Sequence, residues 1–315
     1  MRRLAVVAGI AAFTGAACGC GEASHRGHVP SAGRPTRLVV GGGADATSPA
    51  GSGSDLVWTR GGVNASVIVL KLGTVELREG GRRPVRISEP GILSASGGMD
   101  SRNIVIQEVR SGQSDLRLYD LRSHSLRGLP PGPNTRSWEW RGSISGRWLL
   151  FGRIDFGSKT YQIVLANLAT GEGHILDSVS GHGAYAEPGQ LAGRYAVWLA
   201  CPDNVCSIYR YDIRTAQKIQ VTKRAAYTTF YYAPSVTADG TVYYAEGARA
   251  CGAHVSLVQF RPQRATRRIA TLPPGYDLRF TSAIPRPGGT RIVFDRVNCS
   301  SKHFAVYELR PGIPR

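Results

Sequence analysis

The segment Pro-Ser-Val-Thr-Ala-Asp-Gly-Thr-Val-Tyr-Tyr-Ala, residues 234–245, carries the pattern of two short β-strands joined by a tight turn. β-Branched and aromatic residues fill both halves, and Asp239-Gly240 supplies the turn. Residues 254–260 and 267–272 continue with the same strand-type composition. Residues 234–272 therefore predict one antiparallel unit of four strands.

The end of the third strand of this unit has counterparts along the whole chain. The copies are Leu70-Lys71-Leu72, Tyr119-Asp120-Leu121, Ala166-Asn167-Leu168, Tyr211-Asp212-Ile213, Val258-Gln259-Phe260 and Tyr307-Glu308-Leu309. Their middle residues are separated by 49, 47, 45, 47 and 49 positions. A constant period in the forties, with strands and no helical periodicity, is typical of β-propeller blades. The six copies predict an all-β fold, a six-bladed β-propeller of four-stranded antiparallel blades.

The last repeat ends after its third strand, at Leu309, so its blade lacks an outer strand. A strand-like segment, Arg37-Leu38-Val39-Val40, lies ahead of the first repeat, whereas residues 41–54 are rich in Gly and Ser and read as a link. Pairing of the N-terminal segment with the last blade would close the ring and cover an edge that invites aggregation. We therefore expect an N-terminal strand to complete the last blade.

Chain length and net charge limit the number of domains and the classes of partner. The 315 residues suffice for two average domains, but the even period favours a single propeller over residues 34–315. Lys and Arg number 39 against 22 Asp and Glu, a formal net charge of +17. Such a surface attracts an anionic wall polymer or lipid surface through a screened field, and we expect no specific nucleic-acid partner. The alternative is that the arginine-rich composition reflects coding bias.

The N-terminus has the composition of an export signal. Arg2-Arg3 is followed by an apolar and small-residue stretch up to Ala17 and then by two cysteines, Cys18 and Cys20. A positive start, an apolar centre and small residues at the cleavage point define a signal peptide, here residues 1–20. Residues 21–33, rich in Gly, Ser, His and Pro, predict a flexible tether.

The two N-terminal cysteines resemble the cysteine of a bacterial lipobox, so Cys18 and Cys20 are the lipidation candidates. Plain signal-peptidase cleavage is the alternative. We therefore expect an exported protein of the cell envelope, anchored by a lipid on the outer side of the cytoplasmic membrane or else secreted.

Four further cysteines predict two disulfides, which persist in exported proteins. Cys201 and Cys206 bracket a turn-rich link between two strands, so a bridge there would staple one hairpin. Cys251 and Cys299 occupy equivalent loops of consecutive repeats, 48 residues apart, and would pair across neighbouring blades. The alternative is that Cys251 and Cys299 are free thiols.

The order of a strand, a polar turn with Gly, an apolar strand and a Tyr-Asp-Leu-like third strand resembles the TolB-like, or WD40-like, six-bladed propellers. The best local match is Pro234 to Tyr244, against that family's Pro-x-x-Ser-Pro-Asp-Gly turn. The resemblance covers roughly residues 34–310, and elsewhere the turn keeps its Gly and loses its Asp, as in Ser145-Gly146 and Ala192-Gly193. It implies an envelope-located, usually non-catalytic propeller whose faces bind proteins or small molecules.

In propellers the innermost strands line a central channel, and the loops entering them build one face. Here those segments are rich in aromatic residues with interleaved polar groups, which suits a protein or glycan partner. The alternative is that the rings fill the space between blades. In the segment Trp138-Glu139-Trp140, strand alternation places both tryptophans on one side and Glu139 on the other. The binding-face candidates are Trp138, Glu139, Trp140, Arg141, His182, Tyr185, Glu187, Tyr231, Tyr232, Tyr276 and Arg279.

Sequence motifs for catalysis are weak. The chain has no His-Glu-x-x-His, no Cys-x-x-Cys zinc pattern, no Gly-x-Ser-x-Gly elbow and no phosphate-binding glycine loop. His182 could act as a base if Glu187 oriented it, although a His in a Gly-rich loop is more often a bystander. We therefore expect a non-catalytic binding or scaffold propeller with no cofactor and no metal. The alternative is a propeller enzyme, a lyase or hydrolase, with its site at the central channel.

Overall fold

The computed structural model describes residues 36–37, 45–65, 70–223, 230–247 and 254–310, and within them all regular secondary structure is β. After a short strand, β1 (Thr36–Arg37), the chain forms one eight-stranded sheet. Its strands are β2 (Ala46–Ser52), β3 (Asp55–Ala65), β4 (Leu70–Arg78), β5 (Val85–Arg86), β6 (Leu93–Met99), β7 (Asn103–Arg110), β8 (Gln113–Asp120) and β9 (Ser125–Gly128).

Three four-stranded antiparallel sheets follow in chain order. The first comprises β10 (Trp138–Ser145), β11 (Trp148–Asp155), β12 (Thr160–Asn167) and β13 (Gly173–Ser180). The second comprises β14 (Tyr185–Ala192), β15 (Tyr195–Cys201), β16 (Ser207–Asp212) and β17 (Gln217–Gln220). The third comprises β18 (Phe230–Val236), β19 (Val242–Gly247), β20 (Ser256–Phe260) and β21 (Arg267–Thr271).

The N-terminal strand completes the last sheet, as the sequence predicted. β22 (Tyr276–Arg286), β23 (Gly289–Asn298) and β24 (Phe304–Leu309) are followed at the outer edge by β1, with Thr36 opposite Glu308. The predicted strand began one residue later and ran to Val40, but residues 38–44 lie outside the described residues. This pairing covers the edge of β24 that would otherwise be open.

The sheets are arranged as a β-propeller. The first strand of each repeat, namely β2, β6, β10, β14, β18 and β22, contacts the next one, and β22 contacts β2, so that these inner strands close a ring. Apolar side chains fill the spaces between neighbouring sheets. At the closure, Trp58 and Leu56 of β3 pack against Ile284 and Val293 of the last sheet, which joins the two ends of the array by hydrophobic burial.

The sheet count differs from the expectation of six separate four-stranded blades. Among the described residues four sheets have four strands, and β2–β9 form one continuous sheet. The reason is the hairpin of β3 and β4, whose strands of 11 and 9 residues extend far enough for Gly73 to pair with Ser94 of β6. One residue pair thus connects two groups of strands that otherwise hydrogen-bond separately.

Two further expectations about the first repeat were wrong. Arg78 pairs with Leu56 in the first repeat, at the place where Asp120 pairs with Asn103 in the second. The first third-strand copy therefore ends at Arg78 and not around Leu70-Lys71-Leu72. Residues 41–54 were read as a link, yet β2 (Ala46–Ser52) is a buried inner strand. The other five third-strand copies lie at the ends of β8, β12, β16, β20 and β24.

Candidate functional site

The channel along the propeller axis is nearly filled. A β-bulge interrupts each inner strand next to the axis, and small residues such as Ser48, Gly97 and Gly142 line the cavity that remains. That cavity measures about 40 Å³, enough for a few water molecules, whereas pockets for small-molecule ligands measure roughly 300–1,000 Å³. Gln190 spans the axis and exchanges two hydrogen bonds with the backbone of Ala283, at 2.9 and 2.8 Å.

An ion pair closes the mouth of this channel, at the end where the inner strands begin. Arg141, at the bulge of β10, pairs with Glu187 of β14, and the Tyr185 hydroxyl donates to the same carboxylate at 2.7 Å. The Arg141 guanidinium lies 4.0 Å from the centre of the Phe280 ring. Burial lowers the pKa of Arg141 to about 10, and burial raises the pKa of Tyr185. These side chains therefore satisfy one another inside the structure.

The Trp138-Glu139-Trp140 segment follows the predicted alternation. Both tryptophans belong to one apolar cluster, and Trp140 is only 2% exposed. Glu139 points the other way and is fully buried, where it accepts hydrogen bonds from Thr135 at 2.7 Å and Arg153 at 3.0 Å. Burial raises the pKa of Glu139 and the two donors oppose that shift. Glu139 and Trp140 thus have structural contacts, and Trp138 alone is partly exposed.

The remaining aromatic candidates lie beside the mouth and are half-buried. The Tyr232 hydroxyl donates to Asp277 at 2.7 Å, and Arg279 pairs with the same carboxylate at 3.1 Å. Tyr231 packs edge-on against a second tyrosine, Tyr244, at 5.8 Å. Tyr276 carries the guanidinium of Arg296 over its ring at 4.1 Å. Each of the three tyrosines therefore has a partner on a neighbouring strand, and Arg279 has one on its own strand.

His182 is exposed in its Gly-rich turn and does not meet Glu187. Glu187 is 8% exposed and its two carboxylate oxygens are taken by Arg141 and Tyr185. The orientation of a His182 base by Glu187, on which the enzyme alternative rested, is therefore absent from this structure.

Asp295 is the buried carboxylate that sequence reasoning missed. Its Oδ1 accepts the backbone N–H groups of Arg279 at 3.0 Å and Phe280 at 2.7 Å. Its Oδ2 accepts the Thr47 hydroxyl at 2.5 Å and the Ser48 N–H at 3.3 Å. Asp295 is fully buried, and burial raises its pKa although these donors oppose the shift. It joins the bulges of β22 and β2, where the ring closes.

Phe156 is a second residue that sequence reasoning missed. It lies in the turn between β11 and β12, is 47% exposed, and packs edge-on against Trp138 at 5.7 Å between ring centres. We name these two residues the aromatic pair. It stands at the rim of the closed mouth because Trp138 begins the inner strand β10. An exposed Phe after a strand end gave no periodic signal by which to single it out.

The Cys201–Cys206 disulfide is present and staples the hairpin of β15 and β16, as predicted. Cys299 is also disulfide-bonded, whereas Cys251, its expected partner, lies outside the described residues together with Cys18 and Cys20. Within the described ranges no group of three or more His, Cys, Asp or Glu side chains could hold a metal ion. The same residues contain no helix long and apolar enough to cross a bilayer.

No protein-family profile and no curated protein sequence matches the chain. Solved structures do resemble it. A putative TolB from Agrobacterium tumefaciens aligns with a TM-score of 0.55 and 13% identity, over 86% of this chain and 91% of that one. TolB from Acinetobacter baumannii aligns with a TM-score of 0.51 and 13% identity, over 76% of this chain. Its alignment covers only 60% of the A. baumannii chain.

Oligogalacturonate lyase from Vibrio parahaemolyticus aligns more weakly, with a TM-score of 0.45, 12% identity, and coverage of 86% of this chain and 71% of that one. At such identities the resemblance to the two TolB structures establishes the propeller fold and nothing about ligand or reaction.

Proposed function

We propose that this protein is a non-catalytic binding or scaffold propeller that recognises a protein or glycan partner at the rim of its channel mouth. One observation carries the proposal: side chains of the protein itself fill the axis, while the aromatic pair stays partly open to solvent beside it. A substrate that enters the channel through this mouth would first have to displace the Arg141–Glu187 pair. A partner at the rim has no such barrier.

The aromatic pair suits this role physically. Aromatic side chains with one exposed face bury a large apolar area at low entropic cost, and they stack on sugar rings or anchor protein interfaces. Arg136 and Lys159, both exposed, flank the pair in sequence and supply polar contacts around it. An apolar centre with a polar rim is the usual anatomy of a protein interface.

We further propose that the propeller has six blades, with β2–β5 and β6–β9 as separate blades linked by the Gly73–Ser94 pair. The inner-strand bulges support this count. In each bulge two residues of the inner strand oppose one residue of its partner strand, and the first of each two are Ser48, Gly97, Arg141, Gly189, Ala233 and Arg279. Six equivalent bulges at steps of 44 to 49 residues are expected of six equivalent blades.

An exported location at the cell envelope is part of the proposal. A disulfide such as Cys201–Cys206 persists in an oxidising compartment and is rare in the cytosol, which supports export. Anchoring would come from a lipid on Cys18 or Cys20. Mass spectrometry of the mature N-terminus tests this part separately, because a diacylglyceryl cysteine there differs in mass from an unmodified residue.

The experiment that tests the binding function is site-specific photo-cross-linking on intact cells. A p-benzoylphenylalanine at position 156 inserts into C–H bonds of a protein or a glycan, and the matched control carries it at position 175. Ile175 lies on the outer strand β13 and is 55% exposed, so it reports contacts that any exposed apolar site makes. We expect a discrete adduct from position 156 only.

A competition experiment tests whether the adduct depends on the aromatic pair. Excess wild-type protein should suppress the adduct, and a Trp138→Ala, Phe156→Ala variant should compete about thirtyfold less well, since truncation of interface anchors costs about 2 kcal/mol or more. Equal adducts from both positions, or equal competition by both proteins, would contradict recognition by the aromatic pair.

A further inference from the structure

A depression of about 540 Å³ lies at the other end of the inner strands and is bordered by three arginines. Arg102 lies in the turn between β6 and β7, Arg122 in the turn between β8 and β9, and Arg127 on β9. All three side chains are exposed. Trp138 begins β10, and the turn at Gly146 follows the other end of this strand. Eight residues of β-strand span roughly 25 Å. Gly146 lines a depression that adjoins this one. The site is therefore remote from the aromatic pair.

Two aspartates hold the backbone of this site in place. Asp100 Oδ1 accepts the N–H groups of Arg102 at 2.8 Å and Asn103 at 2.9 Å. Asp120 Oδ1 accepts the N–H groups of Arg122 at 2.8 Å and Ser123 at 2.9 Å. The Leu121 N–H donates to the Arg102 carbonyl at 2.8 Å and ties the two turns together. Side chains leaving these turns thus start from fixed positions.

The guanidinium groups themselves are open to a ligand. Among the residues that the structure describes, those of Arg102 and Arg122 form no hydrogen bond or ion pair, and Arg127 has one long contact, 3.4 Å to the Asn103 side chain. Asp120 is the one acidic residue that lines the depression. The backbone amides of Ser123 and Arg122 lower the pKa of Asp120, so it stays ionised. The three guanidinium groups outnumber the carboxylates of Asp100 and Asp120 that hold these turns, so the recess keeps an excess of positive charge.

The equivalent position of the sheet β14–β17 shows how such an arginine is neutralised. Arg194, in the turn between β14 and β15, pairs with Asp212 at 3.3 Å and bonds the Tyr195 hydroxyl at 2.6 Å. Its guanidinium also lies over the Tyr195 ring. That arginine is therefore neutralised by its own sheet, whereas Arg102 is not.

We propose that the depression is a binding site for a phosphate group of a soluble anionic ligand. Guanidinium groups form bidentate, charge-assisted hydrogen bonds with phosphate oxygens, and a phosphate carries about −1.5 to −2 charges, which complements the excess in the recess. The site is concave, so it admits a phosphate group on a chain or a small molecule, whereas a bilayer presents a plane of headgroups. This site is independent of the proposed partner at the aromatic pair.

Isothermal titration of the full-length protein with inorganic pyrophosphate at low ionic strength tests the proposal. Wild-type protein should bind it, and binding should weaken at about 0.15 M salt because the charges are exposed. An Arg102→Gln, Arg122→Gln, Arg127→Gln variant should bind about tenfold or more weakly. The matched control replaces three other exposed arginines by glutamine, which changes the net charge equally: Arg83, Arg214 and Arg264.

The control variant should bind within about threefold of the wild type. Both variants should retain the wild-type melting temperature, because the six replaced side chains are exposed. No binding by the wild type, or an equal loss in both variants, would overturn the proposal. Binding to phosphatidylglycerol vesicles that pyrophosphate cannot compete away would also overturn it, in favour of a lipid surface.

Discussion

We predict that Asp295→Ala destabilises the propeller more than any exposed aspartate substitution, because this carboxylate holds the two ends of the ring together. Two of its four donors, Thr47 and Ser48 of β2, lie 248 and 247 residues away in the chain. The other two are the backbone N–H groups of Arg279 and Phe280 in β22. Each hydrogen bond to a charged group contributes about 1.5–3 kcal/mol, but burying the carboxylate costs several kcal/mol, and its raised pKa reflects that cost. The net contribution of the intact group is therefore modest.

Removing the carboxylate costs more than this net contribution, because its hydrogen-bond partners remain buried. Alanine leaves three backbone N–H groups without an acceptor, each at about 1–3 kcal/mol, while a water entering the vacated space restores part of the loss. We expect a loss of about 3–5 kcal/mol in the free energy of unfolding. Asp295→Asn keeps an oxygen that accepts the N–H groups of Arg279 and Phe280. Its amide NH2 group faces only the Ser48 N–H as a second donor, so the free energy of unfolding should fall by about 1–3 kcal/mol.

Equilibrium unfolding in urea measures both losses, with Asp155→Ala as the control. Asp155 is exposed and accepts only from its own turn, Gly157 and Ser158, so its loss should be about 1 kcal/mol. Hydrogen exchange should also show faster opening at Ser48 and Phe280 in the Asp295 variants than elsewhere. If Asp295→Ala unfolds within 1 kcal/mol of Asp155→Ala, or if the asparagine variant is as unstable as the alanine one, the closure argument is refuted.

Three further predictions follow from the same geometry. Deleting residues 34–41 should lower the melting temperature and promote aggregation, because it uncovers the edge of β24; an unchanged melting curve would contradict this. Gln190→Ala should cost about 2 kcal/mol in the free energy of unfolding by removing both hydrogen bonds to Ala283, and urea denaturation measures it. Burial raises the pKa of Tyr185, Tyr232 and Tyr244 strongly. Their neutral form stabilises the fold fully below pH 10.0, the ordinary tyrosine value, and that stability is lost as the pH rises further, so tyrosinate absorbance should appear together with unfolding.

The outer part of the fold could be predicted from the sequence, and the innermost part could not. Third strands such as β8 and β16 end in a tyrosine and an aspartate, and the aspartate accepts backbone N–H groups of the turn that follows. β2 reads Ala-Thr-Ser-Pro-Ala-Gly-Ser and carries no hydrophobic alternation. Near the axis the strands crowd together, and a side chain at Gly97 or Gly142 would overlap its neighbours. Steric crowding therefore selects a composition that resembles a linker.

The same crowding explains why aromatic residues were a poor guide to the site. Trp140 and Tyr185 lie in the first half of their inner strands, but residue type does not distinguish a ring that lines a cleft from one that fills it. Their centres lie 6.0 Å apart in one cluster. Phe156 lies in the turn after β11 and contacts Trp138 across the hairpin of β10 and β11, a pairing that depends on the register of the two strands.

The charged residues at the mouth follow one rule that bears on function. Asp277, Glu187 and Asp295 are each buried, and each is bonded by donors from a different strand or sheet. A buried carboxylate with its lone pairs occupied stabilises the ring but has little capacity left to accept a proton from a substrate. Rotating Glu187 toward a ligand would leave Arg141 unpaired inside the structure, at a cost of about 3–5 kcal/mol. This cost favours recognition at the rim over chemistry in the channel.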